Sequence, residues 1–219
     1  MFVLKATLTH LGIVSWAVPA VDLARMLPAQ LIPQTIDPAG ELALVSLVGL
    51  FDRTLWQTYP QLNERAYVTL RDGSGAGAYF WLSRADSWQA WFFGSVLGIP
   101  EIRERLDLAT DRRRYRFTRE GNTAIELDLQ SPAPEHPGFA DDRLASVGLN
   151  PLIGYTIDRR GLDSTRVVHN DIPPREVRVL NVDSSFMRAA GLIRSAKPLV
   201  AWYVPLTPFD IELPPRLVH

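Results

Sequence analysis

The chain contains no cysteine, which excludes disulfides, thiolate metal sites, iron–sulfur clusters and cysteine nucleophiles together. That absence fits a reducing compartment, and a cytoplasmic location is expected. Lysine is nearly as scarce. Among 219 residues it occurs only at Lys5 and Lys197, so a mechanism needing a nucleophilic amine has two side chains to choose from. No window reaches the roughly 18 uninterrupted apolar residues of a membrane-spanning helix. The apolar start of the chain is interrupted by Thr7, Thr9, His10 and Ser15 and has no basic cluster before it, which favours folded structure over a secretory signal. A formal net charge of −1 gives no overall field to attract nucleic acid or an anionic membrane, and neither is expected as a partner. The four histidines are scattered, without a metal-ligand spacing such as His-x-x-x-His, and no metal site is expected.

Apolar residues are plentiful: 47% hydrophobic against 21% charged, enough for a sizeable core in an ordinary globular chain. The length is long for one domain and short for two. With no repeat, coiled coil or convincing linker, one domain over residues 1–219 is expected. Residues 11–18 read as a strand, 19–27 as a short helix stopped by Pro28, and 42–50 as a buried strand. Two strands at 62–70 and 78–83 flank the turn-rich stretch Arg71-Asp72-Gly73-Ser74-Gly75-Ala76-Gly77. That stretch imitates a phosphate-binding loop, but a strand follows it where a dinucleotide motif needs a helix, so a hairpin is preferred and no cofactor is expected.

Ser87 is a good N-cap for a helix through residue 97, with Gly98 at the C-cap. Trp88, Trp91, Phe92, Ser95 and Val96 fall on one helical stripe, expected to be buried. A second hairpin pairs Arg113, Tyr115 and Phe117 with Ile125, Leu127 and Leu129. Its other face sets Arg112, Arg114 and Arg116 against Glu126 and Asp128. Those arginines suit a solvated sheet face better than an RNA surface. Residues 131–142 read as a loop. Strands are expected at 152–157, 166–170, 175–182 and 199–204, a short helix at 183–191, and an extended tail. Strands dominate, so the fold class is α+β and β-rich, with a few short helices.

In this order of elements the chain resembles the YqjF-like family of uncharacterised bacterial proteins, within the acetoacetate decarboxylase-like superfamily. The resemblance rests on Val14-Ser15-Trp16-Ala17-Val18 followed by Leu27-Pro28, on the Asn-x-Arg-x-Tyr strand Asn63-Glu64-Arg65-Ala66-Tyr67, on the turn Gly98-Ile99-Pro100, on Val168-His169-Asn170, and on residues 198–202. It implies one β-barrel-centred domain enclosing a small-molecule pocket. The residue after Pro100 is a tyrosine in that family and a Schiff-base lysine in the decarboxylases, and here it is Glu101. Arg84 stands where an acidic residue is commoner. Schiff-base decarboxylation is therefore not expected.

On the residues themselves, Asn63, Arg65 and Tyr67 share one strand face and make a plausible ligand surface. Arginine can hold a carboxylate in a bidentate pair while amide and phenol orient it. The alternative is a solvent-exposed strand face. Glu101 and Glu64 are candidate general bases, against the alternative of structural glutamates paired with arginine. His169 is a candidate for proton transfer or ligand contact, against a packing role. Trp81, Trp88 and Pro100 are candidates to line the pocket, with core packing the alternative for Trp88. Three functional classes remain open. They are binding of a small organic acid or carbonyl compound, lysine-independent lyase, isomerase or hydratase chemistry using Glu101 or Glu64, and a scaffold with a vestigial pocket. A homo-oligomer is compatible with all three.

Overall fold

The computed structural model of the protein describes residues 2–54, 57–91, 101–131, 141–173, 175–193 and 197–218. In chain order the elements are β1 (Phe2–Pro19), α1 (Ala20–Ala24), β2 (Leu31–Pro33), β3 (Leu42–Arg53), β4 (Thr58–Leu70), β5 (Gly77–Ala85), β6 (Glu101–Arg103), β7 (Leu106–Thr110), β8 (Arg114–Arg119) and β9 (Asn122–Asp128). There follow α2 (Asp141–Leu149), β10 (Ile153–Asp158), β11 (Gly161–Val168), β12 (Arg178–Val182), α3 (Ser185–Ala189), β13 (Val200–Leu213) and β14 (Arg216–Leu217). The fold is β-rich α+β, as expected.

Where the resemblance implies a barrel, the structure has a closed ring of strands. It runs β4-β3-β1-β13-β11-β10-β5 and returns to β4 through the β4–β5 pairing. A separate antiparallel sheet, β12-β9-β8-β7, packs on one face of it. On that face Val14, Trp16, Val45, Leu47, Ala66 and Val68 meet Tyr115, Phe117, Ile125 and Leu127. The other face carries Ile13, Leu44, Val48, Tyr67 and Trp202 and is covered by α2 through Leu144, Val147 and Leu149. Because both faces are covered, β3 is a continuous apolar run rather than an alternating one. Gly12 and Gly49 are paired across β1 and β3, where the small sheet comes closest. A Cβ at either would lie 2.6 or 2.5 Å from the buried Tyr115 ring or hydroxyl, so the bare backbone is what lets the two sheets meet.

The β8–β9 hairpin forms as the alternation predicts. Tyr115 and Phe117 are buried, and Arg114 and Arg116 both reach Glu126. Several expectations need correction. Residues 131–142 were expected to be loop throughout, yet α2 begins at Asp141. The opening strand starts at Phe2, with a bulge where His10 takes φ +53°. The closing strand continues past Pro205 and Pro208 to Leu213, because it pairs residue by residue with β1 from Phe2 to Thr9. Ser87 caps its helix as expected, accepting a hydrogen bond from the Ala90 amide at 3.1 Å. The described part of the stripe is not buried, however: Trp88 is 56% exposed and Trp91 46%, while Ala90 faces inward. Helical spacing shows which residues share a face, not which face meets the core. Phe92, Ser95, Val96 and the turn at Gly98-Ile99-Pro100 lie outside the described residues.

Candidate functional site

Period-two alternation along β4 puts Tyr59, Gln61, Asn63, Arg65 and Tyr67 on the α2-covered face. At one end of this row the polar groups are tied to the fold. Gly148, in the last turn of α2, has a carbonyl without an intrahelical donor. The Tyr67 hydroxyl donates to it at 2.9 Å, and Arg65 Nη2 donates at 3.2 Å. Arg65 Nε and Nη2 also donate to the Tyr67 oxygen, at 3.1 and 2.9 Å. The Ser46 hydroxyl donates to the same oxygen at 3.1 Å and lies 2.6 Å from the Ser15 hydroxyl. A guanidinium beside a helix C-terminus is favoured by the helix dipole. A Cβ at Gly148 would meet the Trp202 ring at 2.6 Å, so glycine there lets α2 lie close against the ring of strands.

Further along the same face some polar atoms lack partners. Asn63 is only 5% exposed, and its Oδ1 has no hydrogen-bond donor. Across the ladder Asn63 is in register with buried Ser83, which accepts a hydrogen bond from Gln61 Nε2 at 2.8 Å. Ser83 is in turn in register with Glu101 at the start of β6. Asp52 pairs with Tyr59 across β3 and β4, and the Tyr59 hydroxyl donates to Asp52 Oδ2 at 3.2 Å. Burial raises the Asp52 carboxyl to about 6. Burial first, and then the Asp52 charge, raise Glu101 to about 7, while burial and these two acids push the Tyr59 phenol up. Asp52 Oδ1 and Glu101 Oε1 are buried without donors. Among the described residues, no basic side chain contributes to holding either acid ionised.

Glu64 projects from the opposite face of β4 and meets a different environment. It is 2% exposed, and Arg84 Nη1 lies 2.8 Å from its Oε1. Arg84 Nε lies 2.8 Å from Glu104 Oε2, and Arg119 links Glu104 to Asp183. Burial raises Glu64 and Arg84 opposes the shift. The unusual arginine at position 84 thus lies between two glutamates. Trp81 is on this side too, near Tyr79 and Phe186, with ring centroids 6.2 Å from each.

The sequence-predicted site therefore divides. Asn63, Arg65, Tyr67 and Glu101 share one face, whereas Glu64 and Trp81 occupy the other and Trp88 is exposed. Pro100 lies outside the described residues. The His169 Nδ1–H donates to the Asn170 carbonyl at 2.8 Å, and its ring packs on Phe209 at 4.5 Å. Asp52, Tyr59, Gln61 and Ser83 were missed. Extending the period of β4 back to residue 59 would have found two of them. Among the described residues no group of three or more His, Cys, Asp or Glu is placed to hold a metal. No helix of the described residues is long and apolar enough to cross a membrane. An open groove of about 500 Å³, lined by Lys5, Thr7, Arg53, Thr54, Gln57 and Thr58, lies on the side of β3 opposite Asp52.

Solved structures share this fold. The chain is similar to the acetoacetate decarboxylase of Legionella pneumophila (TM-score 0.64, 9% identity, 99% of this chain and 87% of that one). It is similar to an acetoacetate decarboxylase-like enzyme from Sphingomonas wittichii (TM-score 0.63, 14% identity, 98% and 92%). It also resembles the enduracididine biosynthesis enzyme MppR, solved with the condensation product of pyruvate and imidazole 4-carboxaldehyde (TM-score 0.57, 12% identity, 95% and 86%). At such identities the likeness establishes the fold, which is acetoacetate decarboxylase-like. No curated protein matches the sequence. Residues 5–206 match the uncharacterised conserved proteins of DUF2071 (COG2071), and the chain belongs to that YqjF-like family.

Proposed function

We propose that the Asn63–Glu101 face is a pocket for a small carbonyl compound or organic acid, and that Glu101 moves a proton on the bound molecule. The observation behind this reading is a buried carboxyl at Glu101, raised to about 7 beside Asp52. A group poised there exists in both protonation states near neutrality, the condition that general acid–base catalysis rewards. Ionised, Glu101 takes a proton from the carbon next to a carbonyl, and the C–H electron pair moves onto the carbonyl oxygen as an enolate. Protonated, it returns that proton to carbon at a different position or to the enolate oxygen, completing an isomerisation. Arg65 supplies positive charge for a carboxylate or for the developing enolate. Lys5 lines the groove on the other side of β3 and Lys197 is exposed, so no amine is assigned to this face.

The test is hydrogen–deuterium exchange at the α-carbon of small ketones and keto acids, followed by NMR with wild type and Glu101→Gln. Wild type should exchange one class of compound, and the variant should be slower by about 100-fold or more. Equal exchange by both proteins would remove Glu101 from the chemistry. The scaffold reading draws support from Arg65 and Tyr67, whose hydrogen bonds serve the end of α2. It predicts no exchange and no ligand-induced stabilisation with any compound.

A further inference from the structure

Resting on that pocket, we infer that its ligand carries a protonated nitrogen, an ammonium or guanidinium, at the end that meets Asp52, Asn63 and Glu101. Among the described residues, three buried oxygens on this face have no donor: Asp52 Oδ1, Asn63 Oδ1 and Glu101 Oε1. All are acceptors. A ketone or carboxylate placed against the ionised pair brings more acceptors and leaves every one of them unsatisfied, whereas each buried polar atom needs a partner.

Among the described residues, the donors of Tyr59 and Gln61 on this strand face are already committed. Tyr59 gives its hydroxyl proton to Asp52 Oδ2 and Gln61 gives an amide proton to Ser83. The nearest cation on the same strand face, Arg65, is committed through Nε and Nη2 to Tyr67 and Gly148. An ammonium has three donors and no acceptor, and its charge suits the two carboxyls. Arg65, at the other end of the row, suits a carboxylate or carbonyl. The two ends together describe a small amino acid or amino ketone with its polar groups several bonds apart, rather than a simple keto acid.

The experiment is thermal unfolding of wild type, Glu101→Gln, Asp52→Asn and Asn63→Leu with 4-aminobutyrate, guanidinoacetate, pentanoate and 4-oxopentanoate. Pentanoate replaces the ammonium of 4-aminobutyrate by a methyl group, and 4-oxopentanoate supplies a carbonyl without nitrogen. A nitrogen compound tenfold above its Kd should raise the wild-type Tm by about 3–6 °C. Its nitrogen-free counterpart should leave the Tm unchanged, and the two acid variants should lose the shift. Asn63→Leu, which changes no charge, should reduce it. Equal shifts from the nitrogen-free compounds, retained in Glu101→Gln, would overturn the nitrogen while leaving the pocket standing. No shift from any of the four would also overturn this inference, and α-carbon exchange would then judge the pocket alone.

Discussion

The two faces of β4 each bury a glutamate against the ring of strands, and they treat it differently. On the side of the small sheet, Glu64 lies 2.8 Å from Arg84, which is held in turn by Glu104. On the α2 side, Glu101 lies beside a second acid, Asp52, and burial acts with the neighbouring charge to raise it. Burial alone does not make a carboxyl reactive. The sign of its neighbour decides whether it becomes a structural ion or a group that exchanges protons near neutrality.

The largest expected effect tests the paired side. Arg84→Met leaves Glu64 buried without its cation, while Glu104 keeps Arg119, and urea unfolding should show a loss of about 3–5 kcal/mol. A loss below about 1 kcal/mol would mean that Glu64 does not depend on Arg84 and that the two faces are alike. Tyr67→Phe removes the donor to Gly148 and an acceptor for Ser46 and Arg65, so a loss of about 1–3 kcal/mol is expected. An unchanged stability would free Tyr67 from its structural role and return it to the pocket.

Glu101→Gln should act in the opposite direction. Its folded pKa of about 7 exceeds the ordinary 4.5, so the folded state holds the proton more tightly. That contribution is complete below about 4.5 and is lost as pH rises through 7. Wild type should therefore lose stability between pH 5 and 8, with Asp52, raised to about 6, adding to the slope. The glutamine variant should have a shallower slope and gain about 1–3 kcal/mol over wild type at pH 8. The smallest effect calibrates the rest. Arg116→Ala removes an exposed partner of Glu126 on the hairpin surface and should cost about 0.2–1 kcal/mol, less in high salt.

Much of the fold could be read from the sequence because alternation and turn chemistry act locally. The β8–β9 hairpin, the Gly73–Gly77 connection and the apolar run of β3 all follow from nearest neighbours along the chain. The full lengths of β1 and β13 did not, since Pro205 and Pro208 argue locally against a strand and only the register with β1 carries it through. The start of α2 was hidden after a Pro- and acid-rich stretch. For the site, alternation correctly grouped Asn63, Arg65 and Tyr67, but Asp52 and Glu101 come together only through the curvature of the sheet. The bulge between Glu64 and Arg65 in the β4–β5 ladder also shifts which β5 side chains meet which face. Trp81 consequently lies away from the residues with which the sequence grouped it.

The central claim is that Glu101, unlike an ordinary surface carboxyl, titrates near neutrality. The most direct measurement is a pH titration of the protein labelled with carbon-13 at glutamate carboxyls, with the Glu101 signal assigned by its loss in Glu101→Gln. The account predicts a midpoint at about 7, moving down in Asp52→Asn as the neighbouring charge is removed. A Glu101 midpoint near 4.5, unmoved by Asp52→Asn, would contradict it.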